Sequence, residues 1–160
     1  MTDTDPDPAT DPGAARGTAP ARVLRATVGT EPLDVAEHAA LVDGPASGAV
    51  VTFAGVVRDH DHGRSVTALD YEAHPSAAAV VGRVAADVAG RFGGVRALAV
   101  SHRVGPLAIG DVAFAVAVAA PHRGPAFATC ALLVDEVKRD LPVWKRQEFT
   151  GGGEEWVNCP

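Results

Sequence analysis

The chain has 160 residues, a formal net charge of −6, 47% hydrophobic positions and 21% charged ones. That length suits one domain with its own core, and the acidic balance excludes an ordinary nucleic-acid binder, which carries a basic surplus. No apolar run reaches the length needed to span a membrane, and Cys130 and Cys159 make neither a metal-binding spacing nor a disulfide framework, as expected of a cytoplasmic protein.

In chain order, residues 1–20 are Asp, Pro, Thr, Ala and Gly with no large apolar side chain after Met1. Such a segment cannot bury enough surface to offset its ordering entropy and is expected to be a disordered acidic tail. Residues 21–160 are expected to form one α+β domain. Val23–Val28 reads as a short strand, and Asp34 can cap a helix over Val35–Val42 that Gly44-Pro45 ends. Gly48–Val57 is apolar on both faces, the pattern of a buried central strand. A polar loop, Arg58 to Arg64, precedes a strand over Val66–Ala73 that alternates Val66, Ala68 and Asp70 against Thr67, Leu69 and Tyr71.

Pro75 opens a helix with apolar positions Ala77, Val80, Val81, Val84 and Val88, stopped by Gly93-Gly94. Val95–His102 is another strand. Asp111–Ala119 is a cleaner one, with Val112, Phe114, Val116 and Val118 on one face and only alanine on the other, so a helix can pack close there. Gly124-Pro125 starts a last helix that runs to about Asp140, before Pro142.

Candidate chemistry begins with lysine. Of fourteen basic residues only Lys138 and Lys145 are lysine, and they lie seven positions apart. Arginine stays charged, whereas an amine can lose its proton and act as a nucleophile, so two lysines kept in an arginine background point to amine chemistry. At about 100° per residue, Phe127, Cys130, Ala131, Val134 and Val137 form an apolar stripe on the last helix. Asp135, Glu136, Arg139 and Asp140 form its polar arc. Lys138 projects into the stripe, where it either snorkels past the helix end or is partly desolvated. Within roughly 7 Å of Lys145, mutual repulsion at an effective dielectric near 20 would add about 2 kcal/mol against the doubly charged state.

Pro121-His122-Arg123-Gly124 sets free backbone N–H groups beside an Arg and a His, a plausible anion site at a helix start. His102-Arg103 ends a strand and reads equally as structural or functional, while His38 and His74 on helix margins read as incidental. Asp59, His60, Asp61 and His62 are metal-ligand types, but alternating residues of one loop rarely complete a site and no partner pair stands out elsewhere. Neither a metal nor a resident cofactor is expected. A metal-dependent hydrolase built on this loop is therefore the lesser alternative.

Taken in order, Phe53-Ala54-Gly55-Val56-Val57-Arg58-Asp59-His60, Leu69-Asp70-Tyr71-Glu72-Ala73, His102-Arg103-Val104-Gly105, His122-Arg123, Lys138, Pro142-Val143-Trp144-Lys145 and Trp156-Val157 resemble the large, catalytic subunit of molybdopterin synthase. The likeness covers about residues 22–158. It implies an α/β-hammerhead-type domain with a mainly antiparallel sheet and packed helices. It further implies a homodimer carrying one small subunit at each end, a heterotetramer. The implied reaction turns cyclic pyranopterin monophosphate into molybdopterin. Sulfur comes from the thiocarboxylated C-terminal Gly-Gly of a small ubiquitin-like subunit, which must be a separate chain.

By position, Lys138 and Lys145 resemble the family's catalytic lysines. Val56, Val57, Arg58, His122, Arg123, Arg146 and Gln147, with the two lysines, resemble its substrate-contacting residues. The chain departs from the pattern at Gln147, where many members have Glu, and at His74, where Tyr is common. A homologue that docks the small subunit without catalysis is the second alternative, and the retention of both lysines argues against it.

Overall fold

The computed structural model describes residues 19–158. The chain runs β1 (Arg22–Gly29), α1 (Val35–Val42), β2 (Ala49–Val56), β3 (His60–Asp61), β4 (Arg64–Ala73), α2 (Ala77–Arg91), β5 (Ala97–Arg103), β6 (Gly105–Leu107), β7 (Val112–Ala120), α3 (Arg123–Asp140), β8 (Val143–Phe149) and β9 (Glu154–Asn158). One sheet has the order β1-β5-β7-β2, with β1 parallel to β5 and the other pairs antiparallel. The other has the order β3-β4-β8-β9, with β6 also paired to β4, and is antiparallel throughout. The mainly antiparallel α+β architecture is the expected one. The disordered tail proposed for residues 1–20 lies outside the described residues except for Ala19 and Pro20, which are exposed, and so does Cys159.

The first sheet is covered on both faces. Leu98, Val100, Phe114, Val116 and Val118 pack against Val81, Val84 and Val88 of α2 and Leu133 and Val137 of α3. On the other face Ala97, Ala99, Ala117 and Ala119 meet Val42 of α1. Alanine ends at Cβ, so α1 settles close to the sheet, as the all-Ala face implied. Asp34 caps α1, its Oδ1 accepting from the backbone N–H of Ala36 at 2.8 Å and of Glu37 at 3.3 Å.

His38 is not incidental. Its Nδ1–H donates to the Asp34 carbonyl at 2.7 Å, which leaves Nε2 to accept the Ser101 hydroxyl at 2.7 Å. Ser101 Oγ lies 2.9 Å from Thr27 Oγ1, so a polar chain, buried at His38 and Ser101, pins α1 to the sheet.

Three pattern readings are corrected. The strand read as central is β2, an edge strand, and its outward residues Val50 and Val56 are exposed. Its apolar character on both faces therefore does not reflect burial on both. On β4 a register shift between Val66 and Ala68 breaks the period of two, so Val66 and Leu69 are both buried. On α3 the buried face is Ala126, Thr129, Cys130, Leu133, Val134, Glu136 and Val137. Phe127 and Ala131 lie in solvent. Glu136 turns inward because Arg91 and Arg139 meet it at 2.8 Å and 3.1 Å, and those partners hold its carboxyl below the usual range.

Candidate active site

β8 follows α3 after a two-residue joint, Leu141-Pro142, and pairs antiparallel with β4. Its side chains alternate: Val143, Lys145, Gln147 and Phe149 turn inward, while Trp144, Arg146 and Glu148 turn out. Lys145 stands opposite Tyr71 and Gln147 opposite Leu69. These four residues close a cavity of about 310 Å³ whose other walls are Gly55, Val56, Val57 and Arg58 after β2, His102 of β5, Ala113 and Phe114 of β7, and Lys138 of α3. The volume is at the lower end of the range for small-molecule sites. A larger cavity of about 550 Å³ lies at the start of β1, but among the described residues its only ionisable side chains are Arg22, Arg96 and Asp43. Size therefore does not mark the site; converging chemistry does.

The two lysines reach this pocket from different elements. Lys138 comes from the last turn of α3, where a cation suits the helix C-terminus. It is exposed, which agrees with the snorkelling alternative of the helix-wheel reading and not with the desolvated one. Its Nζ lies 6.0 Å from the centroid of the Phe114 ring. Lys145 is the more enclosed of the two, with 16% of its side chain accessible and its Nζ 3.9 Å from Asp61 Oδ2.

His102 forms the inner wall. It is buried, edge-on to Tyr71 at 5.0 Å between centroids and 5.6 Å from Phe114. Its Nδ1–H donates to the Arg103 carbonyl at 2.8 Å, which fixes the tautomer and leaves Nε2 without a hydrogen-bond partner among the described residues. Burial pushes its pKa down to about 4; the Arg103 carbonyl opposes that shift and the charge of Lys138 adds to it. Near neutral pH the ring is therefore uncharged and offers an acceptor, not a cation.

Asp61 is the acid of the pocket rim. Gln147 Nε2 donates to its Oδ2 at 2.7 Å and Arg58 Nη2 to its Oδ1 at 3.0 Å. The Gln147 hydrogen bond, with the nearby charges of Lys145, His62 and Arg58, holds its carboxyl below the usual carboxylate range against the opposing effect of burial. Asp59 and His60 pair with each other at 2.8 Å on the exposed side of the loop. Asp61 points the other way, so the four loop residues do not converge as metal ligands.

A profile of the MoaE protein family matches residues 28–140. The chain belongs to this family. It is similar to the molybdopterin synthase catalytic subunit 1 of Mycobacterium tuberculosis, 44% identical over 131 residues that cover 79% of this chain and 86% of the relative. It is 38% identical over 128 residues to the molybdopterin synthase catalytic subunit of Nostoc sp., covering 79% of this chain and 78% of the relative. Among solved structures, molybdopterin synthase from Staphylococcus aureus superposes with a TM-score of 0.74 at 29% identity, covering 81% of this chain and 94% of that one.

In this MoaE family member, Val56, Val57, Arg58, Lys138, Lys145 and Gln147 share one pocket. Arg146 does not join them. It faces outward toward Glu154 at 3.4 Å and Glu148 at 3.6 Å. His122 and Arg123 are exposed at the opposite end of α3, about 22 Å from Lys138 at 1.5 Å rise per residue. The sequence reading left His102 open between structure and function and offered Asp61 only as a metal ligand. Neither reading could reveal the wall and rim, because His102 meets Tyr71 from a different sheet and Gln147 meets Asp61 from 86 residues away.

Proposed function

We propose that this chain is the catalytic subunit of a molybdopterin synthase. It converts cyclic pyranopterin monophosphate to molybdopterin with sulfur taken from the thiocarboxylated C-terminus of a small ubiquitin-like subunit. The observation that carries the proposal is that the only two lysines of the sequence, far from the main run of arginines in kind, line the same pocket. Around them stand an uncharged His102, an acid and the rim guanidinium of Arg58.

The pocket's chemistry suits that reaction. Arg58 holds a phosphate or the carrier's terminal carboxylate at the rim. Lys138, above the Phe114 ring, acts at the pterin carbon or on the acyl intermediate, and Lys145 supplies a proton or steadies the developing oxyanion. Because sulfur arrives on the partner, Cys130 has no part in it. That thiol is buried, and burial pushes its pKa up to about 11, away from the reactive thiolate. A free cysteine also suits the cytoplasm.

His122 and Arg123 cannot reach Lys138 of their own chain, so a role for them requires a second copy. A homodimer in which each copy lends this pair to the other's pocket, with a small subunit at each end, accounts for both groups of residues. Mixing tests it. Lys145→Ala and Arg123→Ala homodimers are each expected to be inactive. Co-refolded mixtures should regain about a quarter of wild-type activity, because half the dimers are mixed and each carries one intact site. No recovery in confirmed mixed dimers would remove the shared site.

The reaction itself is tested by reconstitution. Purified chain, thiocarboxylated small subunit and cyclic pyranopterin monophosphate should yield the dithiolene product. A small subunit ending in an ordinary carboxylate should yield none. No product from folded chain bound to the thiocarboxylated partner would favour the docking homologue.

A further inference from the structure

Asp61 has a part in this pocket that its sequence context does not suggest. It is a buried carboxylate on a strand of two residues, β3, and that strand exists only because the chain reverses sharply after it. His60 pairs with Ser65 and Asp61 with Arg64, leaving His62 and Gly63 as a two-residue turn with φ of 48° and 76°. Positive φ at both central positions gives the hairpin turn that matches strand twist, and glycine accepts it freely. Histidine does not, and a strained non-glycine residue held beside a cavity is a sign that the local geometry is set by what the turn delivers. The turn delivers Asp61 to the pocket rim.

There its two oxygens divide the work. Oδ2 accepts Gln147 Nε2 at 2.7 Å and lies 3.9 Å from Lys145 Nζ; Oδ1 accepts Arg58 Nη2 at 3.0 Å and lies 3.9 Å from His62 Nε2. Gln147 is itself buried, and an ionised carboxylate only accepts, so the amide must present its NH₂ to Asp61. One carboxylate thus sets the distance between the pocket's rim cation and one of its two amines.

We propose that Asp61 is a positioning residue of the active pocket, placing Lys145 and Arg58 for reaction through a carboxylate–amide pair with Gln147. This rests on the functional reading above. The pair also has an exchanged form: Asn at 61 with Glu at 147 keeps one carboxylate and one amide in the same contact, with the charge moved to β8 still beside Lys145.

The test compares wild type, Asp61→Asn and the double variant Asp61→Asn/Gln147→Glu in the reconstituted reaction. Asp61→Asn is expected to lower kcat at least about tenfold, while affinity for the small subunit stays within about twofold. The double variant should recover to within about threefold of wild type, which a merely structural loss would not do.

A second readout needs no turnover. With only two lysines, ¹³C-dimethylated Lys138 and Lys145 give separable NMR signals. The charged and titratable groups that face Lys145 are Asp61, Arg58, Tyr71, Lys138 and His102. Losing the one carboxylate among them should displace the Lys145 methyl signal in Asp61→Asn, because the ammonium leaves its place 3.9 Å from Oδ2, and the double variant should bring the signal back. A folded Asp61→Asn protein with kcat within twofold of wild type and an unmoved Lys145 methyl signal would overturn the proposal. If wild type makes no product, the functional reading fails, and the Lys145 methyl signal alone decides on Asp61.

Discussion

The two sheets of this molecule divide its labour. The first, β1-β5-β7-β2, is centred on β7, alanine and valine but for Phe114, and from Ala113 to Ala120 every residue of that strand is buried. The second, β3-β4-β8-β9, carries Asp61, Lys145, Arg146 and Gln147 and lines the pocket with its inward face. The first sheet is mainly a buried scaffold that adds the uncharged His102 and Phe114 to the pocket, and the second is a charged wall whose members are held in place by what they bond. Substitutions should therefore separate: changes at the buried apolar residues of the first sheet and its helices lower stability, and changes at the pocket's polar side chains lower activity first.

The largest stability loss is expected at Leu133, fully buried between α3 and the first sheet. Leu133→Ala should cost about 2–5 kcal/mol in chemical denaturation, and a loss under about 1 kcal/mol would show that α3 is not docked as described.

Next is pH. His102 has its pKa lowered to about 4 from 6.5, so between those values the unfolded chain binds a proton that the folded chain refuses. Stability should be level above about pH 6.5 and fall by about 3 kcal/mol on going down to pH 4. His102→Gln should flatten that limb. A second acid limb lies lower: the depressed carboxyl of Asp61 contributes stability that is present above the ordinary Asp range and lost as pH falls through its folded value. Denaturation midpoints across pH 3–8 would resolve both.

The close alanine seam gives a smaller effect. Ala117→Leu, beneath α1, should cost about 1–3 kcal/mol by overpacking while leaving turnover at permissive temperature unchanged. The smallest belongs to Ala131, read from the helix wheel as apolar stripe but found exposed. Ala131→Gln should change stability by less than about 0.5 kcal/mol, and a larger loss would restore the wheel's version of the buried face.

The same division governed what could be read from sequence. Helix Val35–Val42 was legible to the residue, because Asp34 caps it and Gly44-Pro45 ends it. The Val/Ala alternation of β7 named both the core face and the face that α1 covers. The second sheet was mostly illegible. Val143–Phe149 reads VWKRQEF, and its inward face holds Lys145 and Gln147 because it lines a polar pocket, so hydrophobic periodicity has nothing to detect.

The α3 wheel erred for a related reason. Glu136 counts as polar surface until Arg91, forty-five residues away, is known to meet it. Of the candidate site, composition alone singled out the two lysines, and the family resemblance added Val56, Val57, Arg58 and Gln147 to the same pocket. His102 was ambiguous because a buried ring with one unpartnered nitrogen and a plain core histidine look alike in one dimension. Arg146, His122 and Arg123 were matched by position, which carries no information on which way a strand residue faces or how far apart two helix ends lie.

The central claim is that the pocket between the sheets does its chemistry with two amines. The most direct test is single-turnover product formation by wild type, Lys138→Ala and Lys145→Ala, each saturated with thiocarboxylated small subunit. Both variants should bind the small subunit and melt as wild type does, yet lose at least about a hundredfold in rate. Either variant turning over within a few-fold of wild type would contradict the account.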